Sequence, residues 1–409
     1  MTTPFPPASG RFRMAAADGW RYGVITLIAF LTLVDLFAAQ AILPSLVEAF
    51  GVSRAAMGFA VNASTFGMAL ASLGVAFFGR SIDRRNGIWI SLVVLAVPTS
   101  LLAFTHDLTV FTLLRVAQGL CMATAFTLTM SYLAEHFEPR ATTGALAAYV
   151  TGNVASNFFG RLMSASLADT FGLSPTFLVF AALNVAGGVL VLSTLKATER
   201  MMGAGGGTTP RRDWRECLGN PALRWSFLIG FLVLFVFIGT FTYVNFRLTA
   251  DPIGLSPMAL GLVYLVFLPS MVTTPLAGRL SAARGPSAAI VFGLGVAVLG
   301  LLMALSPVLA VALPGLALVA IGTFLAQAVV TGHVGRTAGG ARTAASGIYL
   351  ASYYVGGLAG GVVLGQVYDR VGWSACIAVL VVATALAAAA GLRLGARPLA
   401  DLRAHEKPA

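Results

Sequence analysis

The sequence predicts an all-α membrane protein with twelve transmembrane helices in two six-helix, pseudo-symmetric halves. Three observations predict it. The 409 residues are 58% hydrophobic and only 10% charged, against roughly 25% charged in an ordinary soluble domain. The apolar residues fall into twelve runs long enough to cross a bilayer. The two sixes of runs also resemble one another when the chain is shifted by about 200 residues.

Composition excludes several classes. A water-soluble fold of this length could not cover its surface with so few charges, whereas a lipid-facing surface needs none. The net charge is +11. The basic residues lie in short loops between apolar runs, so they fit the positive-inside bias of membrane proteins better than nucleic-acid binding. Arg outnumbers Lys and Ala is abundant, which points to a GC-rich bacterial genome. The cysteines, Cys121, Cys217 and Cys376, are odd in number and two lie inside apolar runs. They form neither a disulfide framework nor a metal-ligand spacing.

A helix needs about 20 apolar residues to cross the hydrocarbon. The first six runs are 22–46, 55–78, 87–105, 109–134, 141–165 and 175–195. The second six are 224–247, 257–278, 286–305, 309–331, 343–366 and 373–394. Ser306-Pro307 alone divides the ninth from the tenth. The first run has no A-x-A site after it and reads as a retained helix, not a signal peptide. The expected organisation is an N-terminal tail (1–21), a six-helix bundle (22–195), a linker (196–223), a second bundle (224–394) and a tail (395–409). The linker carries a Gly-rich centre at Gly203–Gly207 and reads as flexible.

With a cytoplasmic N-terminus, the cytoplasmic segments hold twenty-one Lys and Arg and the outer loops three, Arg54, Arg247 and Arg370. Arg115 and Arg161 remain inside spans. The asymmetry recurs loop by loop and predicts an even number of crossings with both termini cytoplasmic.

The fifth span falls on the eleventh after a shift of 200. Ala141, Thr143, Ala145, Tyr149, Gly160, Asp169, Gly172 and Ser174 meet Ala341, Thr343, Ala345, Tyr349, Gly360, Asp369, Gly372 and Ser374. Eight matches in 34 positions exceed the roughly three expected of this composition. The second span repeats as the eighth: Gly51, Ser53 and Gly58 match Gly254, Ser256 and Gly261, and Gly79-Arg80 matches Gly278-Arg279. Ser53 and Ser256 are placed to cap the helices that follow. Two parallel repeats put a substrate site near the midplane, between the halves, and make transport a rocking of one half against the other.

The motifs narrow this further. Gly79-Arg80-Ser81-Ile82-Asp83-Arg84-Arg85 resembles the G-x-x-x-D-R signature of the major facilitator superfamily, and Arg115-Val-Ala-Gln118-Gly119 resembles its R-x-x-Q-G motif. The resemblance implies the major facilitator fold, with a cytoplasmic gate at Gly79, Asp83, Arg84, Gly278 and Arg279. The match departs at Asn86 and Ile88, and Ala282 replaces the Asp in the second half, which weakens any latch there. The resemblance also implies that Arg115 faces the cavity and takes part in proton coupling. The alternative is an Arg near the helix end that snorkels to the interface.

Asp35 is the carboxylate that lies well inside a predicted span, near the middle of the first helix. Desolvation favours a neutral carboxyl, while a nearby cation favours the carboxylate. A group held between those effects can take up and release a proton as its surroundings alternate between wet and dry. Asp35 with Arg115 is the candidate coupling pair; a structural hydrogen bond to a neighbouring helix is the other reading. An acidic residue in this helix is similar to what proton-driven drug exporters of the superfamily carry.

The fifth span contains Gly152-Asn153-Val-Ala-Ser156-Asn157-Phe-Phe-Gly160-Arg161, and it lacks the Pro of the antiporter motif in that helix. With Tyr243-Val-Asn245-Phe-Arg247 and Gly347-Ile-Tyr349…Tyr353-Tyr354, it resembles the YnfM-type inner-membrane transporters of the superfamily, over nearly the whole chain. Arg161 either attracts an anionic substrate, pairs with Asp35, or snorkels at the outer end. Gln40, Asn62, Gln118, Asn153, Asn157, Asn245, Gln327, Tyr349 and Tyr353 complete the candidate cavity set. Each alone is as well explained by a helix-to-helix hydrogen bond, worth about 0.6 kcal/mol. Their concentration on a subset of the spans makes the set informative.

The expected function is secondary active transport of a small organic solute across a bacterial inner membrane by alternating access, as proton-coupled efflux. Proton-coupled uptake of a metabolite is the alternative. The expected partners are a small-molecule substrate, protons and the lipid bilayer, with a monomeric carrier. No nucleic acid, cofactor, metal site or enzymatic activity is expected. No G-x-x-x-x-G-K-[ST] or H-E-x-x-H pattern occurs, and the histidines, including His333 at the end of the tenth span, lie at loops or termini.

Overall fold

The computed structural model describes residues 8–78, 82–137, 139–196, 210–274 and 276–395. Among them the secondary structure is helical, without strands. The first half contains α1 (Ala8–Ala41), α2 (Leu43–Phe50), α3 (Arg54–Phe78), α4 (Arg84–Leu102), α5 (Leu108–His136), α6 (Pro139–Phe171) and α7 (Leu173–Thr194). A short helix, α8 (Pro210–Gly219), precedes the second half. That half contains α9 (Pro221–Thr249), α10 (Pro257–Val263), α11 (Leu268–Thr273), α12 (Leu276–Met303), α13 (Leu309–Thr337), α14 (Arg342–Val371) and α15 (Trp373–Gly395).

Ten of the described helices are long and apolar enough to cross a membrane. The expected twelve are completed by α6, whose 33 residues include Asn153, Asn157 and Arg161, and by a broken eighth crossing. Polar caps start several helices as the sequence suggests. Ser53 Oγ accepts from Ala56 N at 3.1 Å, and Ser256 Oγ from Ala259 N at 3.3 Å. Asp83 and Asp107 cap α4 and α5 in the same way.

Three elements differ from expectation. The first crossing, expected at 22–46, is α1 ending at Ala41 and a separate α2, which has Pro44 in its first turn. The eighth, expected as one helix at 257–278, is α10, a 3-10 turn at Tyr264–Phe267, and α11. Pro269 lies in the first turn of α11 and has no N–H to donate, so one bond of the α-helical ladder is missing where the 3-10 turn ends. The crossing resumes in α12, which Gly285 kinks at φ 82°, ψ 158°; Pro286 then opens the ninth. The stretch expected as a flexible linker contains α8, whose Trp214 stacks on Phe77 with ring centroids 4.4 Å apart.

Within the first half, α1 runs along α6, α3 along α5, and α4 along α5 and α7. In the second half α9 runs along α14 and α15, and α12 along α13 and α15. The matched glycines of the repeat do the same work in both halves. A β-carbon at Gly160 would lie 3.1 Å from Val34 O of α1, and one at Gly360 would lie 2.4 Å from Phe235 O of α9. The halves meet where α3 runs along α14 and where α10 meets α6, and α1 and α2 touch α9. Large apolar side chains such as Phe66, Val97, Leu113, Val189, Phe292 and Leu386 are exposed, the surface that a lipid solvent stabilises and water does not.

Candidate functional site

The buried charged side chains of the described chain are Asp35, Arg115 and Arg161, each no more than 3% exposed. Their positions follow from close helix packing. A β-carbon at Gly119 would sit 1.9 Å from Ser64 O, and one at Gly67 would sit 2.0 Å from Val116 O. Glycine at both positions lets the backbones of α3 and α5 touch. That contact brings Arg115, one turn before Gly119, against α3.

Arg115 is clamped rather than snorkelled. Its Nε donates to Val61 O at 2.9 Å. Nη1 donates to Gln118 Oε1 at 2.6 Å and to the Asp35 main-chain oxygen at 3.2 Å. Nη2 donates to Ser64 Oγ at 3.1 Å and to Leu36 O at 3.5 Å. Arg115 and Asp35 make no direct ion pair. Gln118 links them instead, its Nε2 reaching Asp35 Oδ1 at 3.4 Å and Thr99 Oγ1 at 2.7 Å. Thr99 Oγ1 in turn lies 3.3 Å from Asp35 Oδ1, and Asn184 Nδ2 lies 3.2 Å from Thr99. Asn184 also interacts with the Asp35 carboxyl. Two acceptors of this network, Asp35 Oδ2 and Asn184 Oδ1, lack a hydrogen-bond partner.

A second group lies at the seam of the halves. Gln40 Nε2 donates to Asn62 Oδ1 at 2.9 Å, and its Oε1 accepts from Arg161 Nη2 at 2.5 Å. Asn62 Nδ2 crosses the seam to Thr242 Oγ1 at 3.2 Å, and Asn245 Nδ2 crosses it to Gln40 O at 2.8 Å. The Arg161 guanidinium lies 4.2 Å from the ring centre of Tyr264, with Phe37 and Phe267 at 5.3 Å and Phe241 at 5.8 Å. The Tyr264 hydroxyl interacts electrostatically with the guanidinium but donates to Asn245 Oδ1. Arg161 Nε and Nη1 have no hydrogen-bond partner, and Arg161 does not pair with Asp35. Its full burial removes the expectation of snorkelling.

Asn153, Asn157 and Arg161 are spaced by four and share one face of α6. Asn153 and Asn157 each have an Oδ1 without a partner. Tyr349 and Tyr353 form a separate group on α14, with rings 6.1 Å apart and Thr331 Oγ1 3.3 Å from the Tyr349 hydroxyl. Gln327 is half-buried on α13 and joins neither group. His333 is half-buried beside Thr337.

Of the expected gate residues, Gly79 lies outside the described residues, as does Arg80 of the same motif. Asp83 caps α4, and Arg84 pairs with Glu135 of α5 in its own half at 2.9 Å. Gly278 and Arg279 are exposed on α12. At the opposite end of the bundle Asp369 Oδ2 accepts from Ala55 N across the seam at 2.9 Å.

Sequence reasoning missed Thr99, Asn184, Ser64 and the aromatic residues around Arg161. Asn184 had a signal, being a lone amide in an otherwise apolar span. The aromatics had none, because Phe and Tyr in a span are ordinary. An apolar groove of about 480 Å³ between α1 and α6, lined by residues such as Leu27, Phe30 and Phe159, includes none of the polar candidates.

The profile described as Major Facilitator Superfamily matches residues 25–267. The chain is 27% identical over 369 residues to the inner membrane transport protein YnfM of Escherichia coli (strain K12), covering 88% of this chain and 87% of that one. It is 28% identical over 171 residues to the drug efflux pump JefA of Mycobacterium tuberculosis, covering 41% of this chain and 32% of that one. The crystal structure of a bacterial homologue of the human lysosomal transporter Spinster, inward-facing and occupied, superposes with a TM-score of 0.73 at 16% identity, covering 94% of this chain and 98% of that one.

Proposed function

This chain belongs to the major facilitator superfamily, and from that premise we propose that it exports a small organic solute in exchange for protons. It is a multi-pass membrane protein of a transporter family. The finer reading is a carrier, not an enzyme, that rocks about the buried seam, with Asp35 as the proton-binding group. The observation that supports the coupling role is the fully buried Asp35 carboxyl, whose Oδ2 lacks a hydrogen-bond partner while Oδ1 is held by Thr99 and Gln118 and the Arg115 guanidinium lies on its main-chain oxygen. A carboxyl that burial favours as neutral, and a nearby cation favours as ionised, can hold either form. The partial likeness to a drug efflux pump is consistent with export.

Alternating access moves that group between the two sides. Among the described residues, hydrogen bonds between the halves include Ala55–Asp369, Asn62–Thr242 and Asn245–Gln40. With the termini cytoplasmic, as the basic-residue bias predicts, these bonds close the outer side.

Uptake with protons is the second reading, and Arg161 favours it. A buried cation that binds an anion gains when Asp35 is neutralised, so proton and anion would bind together. One experiment separates the readings. The protein is reconstituted in proteoliposomes with a pH gradient, and panels of organic acids, amines and sugars are supplied. Movement of solute against the proton flow supports exchange; movement with it supports uptake. Asp35→Asn should fold, because the amide keeps an acceptor for Thr99 and adds a donor for Asn184, and it should lose gradient-driven flux. Unchanged gradient-driven flux in that variant would remove Asp35 from the coupling role.

A further inference from the structure

We infer that Arg161 is the recognition group for the carboxylate of a small organic anion whose apolar body lies among the surrounding rings. This rests on the reading that the buried seam is the substrate site.

The buried cluster holds two guanidiniums and one carboxyl. Arg115 spends its donors on five acceptors and has Asp35 beside it. Arg161 donates from Nη2 to the neutral Gln40 and interacts with the Tyr264 hydroxyl, while Nε and Nη1 find no acceptor within hydrogen-bond geometry although the residue is fully buried. Leaving charged donors unpaired in a buried site is costly, so a purely structural Arg here is a poor solution to packing. Four rings shield its faces, which offsets part of the cost but satisfies no N–H.

The chemistry of the missing partner follows. A guanidinium presents its N–H groups along two planar edges, Nε with Nη2 and Nη1 with Nη2, so a two-oxygen anion here would take one free nitrogen and the second N–H of Nη2; of the anions that match such an edge, a carboxylate costs less than a phosphate to bring among apolar rings. The rings come from both halves: Phe37 from α1, Phe241 from α9, and Tyr264 and Phe267 from the broken eighth crossing. A ligand seated here therefore touches both halves, as a substrate that commits a rocking transporter must. Asn157 and Asn153, one and two turns along the same face, offer unpartnered carbonyl oxygens. They would accept from a hydroxyl or amine on the ligand.

The test measures binding at equilibrium, in nanodiscs, without a pH gradient. Acetate, benzoate and 3-phenylpropionate are each compared with their neutral amide by calorimetry and by thermal shift. Benzoate or 3-phenylpropionate should bind at least ten-fold tighter than its amide, and acetate more weakly than either. Arg161→Gln should lose the acid preference at least ten-fold while its own unfolding midpoint is unchanged or higher, since it removes an unpaired buried charge. Arg161→Lys should recover part of the preference. Absence of acid-over-amide preference throughout the panel, or a lowered midpoint for unliganded Arg161→Gln, would overturn the assignment and make Arg161 a structural cation. Acid binding without any flux in proteoliposomes would defeat the transport reading and leave this one standing; flux confined to neutral solutes would do the reverse.

Discussion

Replacing Arg115 by Lys keeps the charge and removes the fork, so it asks whether the guanidinium geometry holds α1, α3 and α5 together. Arg115 makes five hydrogen bonds, to Val61 O, Asp35 O, Gln118 Oε1, Ser64 Oγ and Leu36 O. An ammonium has three donors, so at least two of the five are lost. The loss of one well-formed bond to a charged donor costs about 1.5–3 kcal/mol. The long contact to Leu36 O counts at about 0.6 kcal/mol, the average for interhelical bonds in membrane proteins. The expected destabilisation is therefore about 2–3.5 kcal/mol. The assay is reversible unfolding in mixed micelles titrated with dodecyl sulfate, followed by tryptophan fluorescence. Arg370→Lys, at an exposed position, is the control and should stay within about 0.5 kcal/mol. If Arg115→Lys also stayed within about 1 kcal/mol, Arg115 would not be the clamp described here, and the interfacial reading of this residue would return.

Three further predictions address packing, gating and topology. Gly119→Val should destabilise by about 1–3 kcal/mol in the same assay, because its β-carbon would lie 1.9 Å from Ser64 O; an unchanged protein would refute the close α3–α5 contact. Asp369→Ala should open the seam at the end opposite the termini, because it removes the carboxylate bonded to Ala55 N at the start of α3. That contact is worth about 1 kcal/mol, so a cysteine placed at Thr242 in a cysteine-free background should label about five-fold faster from that side; equal rates would count against Asp369 as a latch. A cysteine introduced at Arg215 of α8 should react with an impermeant reagent only after the membrane is opened, and ready labelling in intact cells would invert the proposed orientation.

Gly160 and Gly360 illustrate what was legible in the sequence and why. They were matched by a shift along the chain, and in the structure each admits a neighbouring helix backbone, from α1 and α9 respectively. The crossings were legible for a similar reason, since the cost of burying a polar backbone in lipid forces long apolar helices whatever their neighbours. Asp35, Arg115 and Gln118 could be nominated from their types and positions, because a charged or amide residue in such a span stands out. Their connection could not. A direct Asp35–Arg115 pair was the natural expectation, and the link runs through Gln118 because the α3–α5 contact fixes where the guanidinium points.

The sequence by itself determined the class of solvent, the count of crossings, the two-fold repeat and the identity of the buried charges. These depend on composition and spacing, which are properties of a line of residues. Tertiary structure alone decided that the broken eighth crossing sets Tyr264 and Phe267 against Arg161, and that Arg161 faces four rings and no carboxylate. Those facts depend on side chains from helices far apart in the chain meeting at one point, and no local pattern encodes a distance across a bundle.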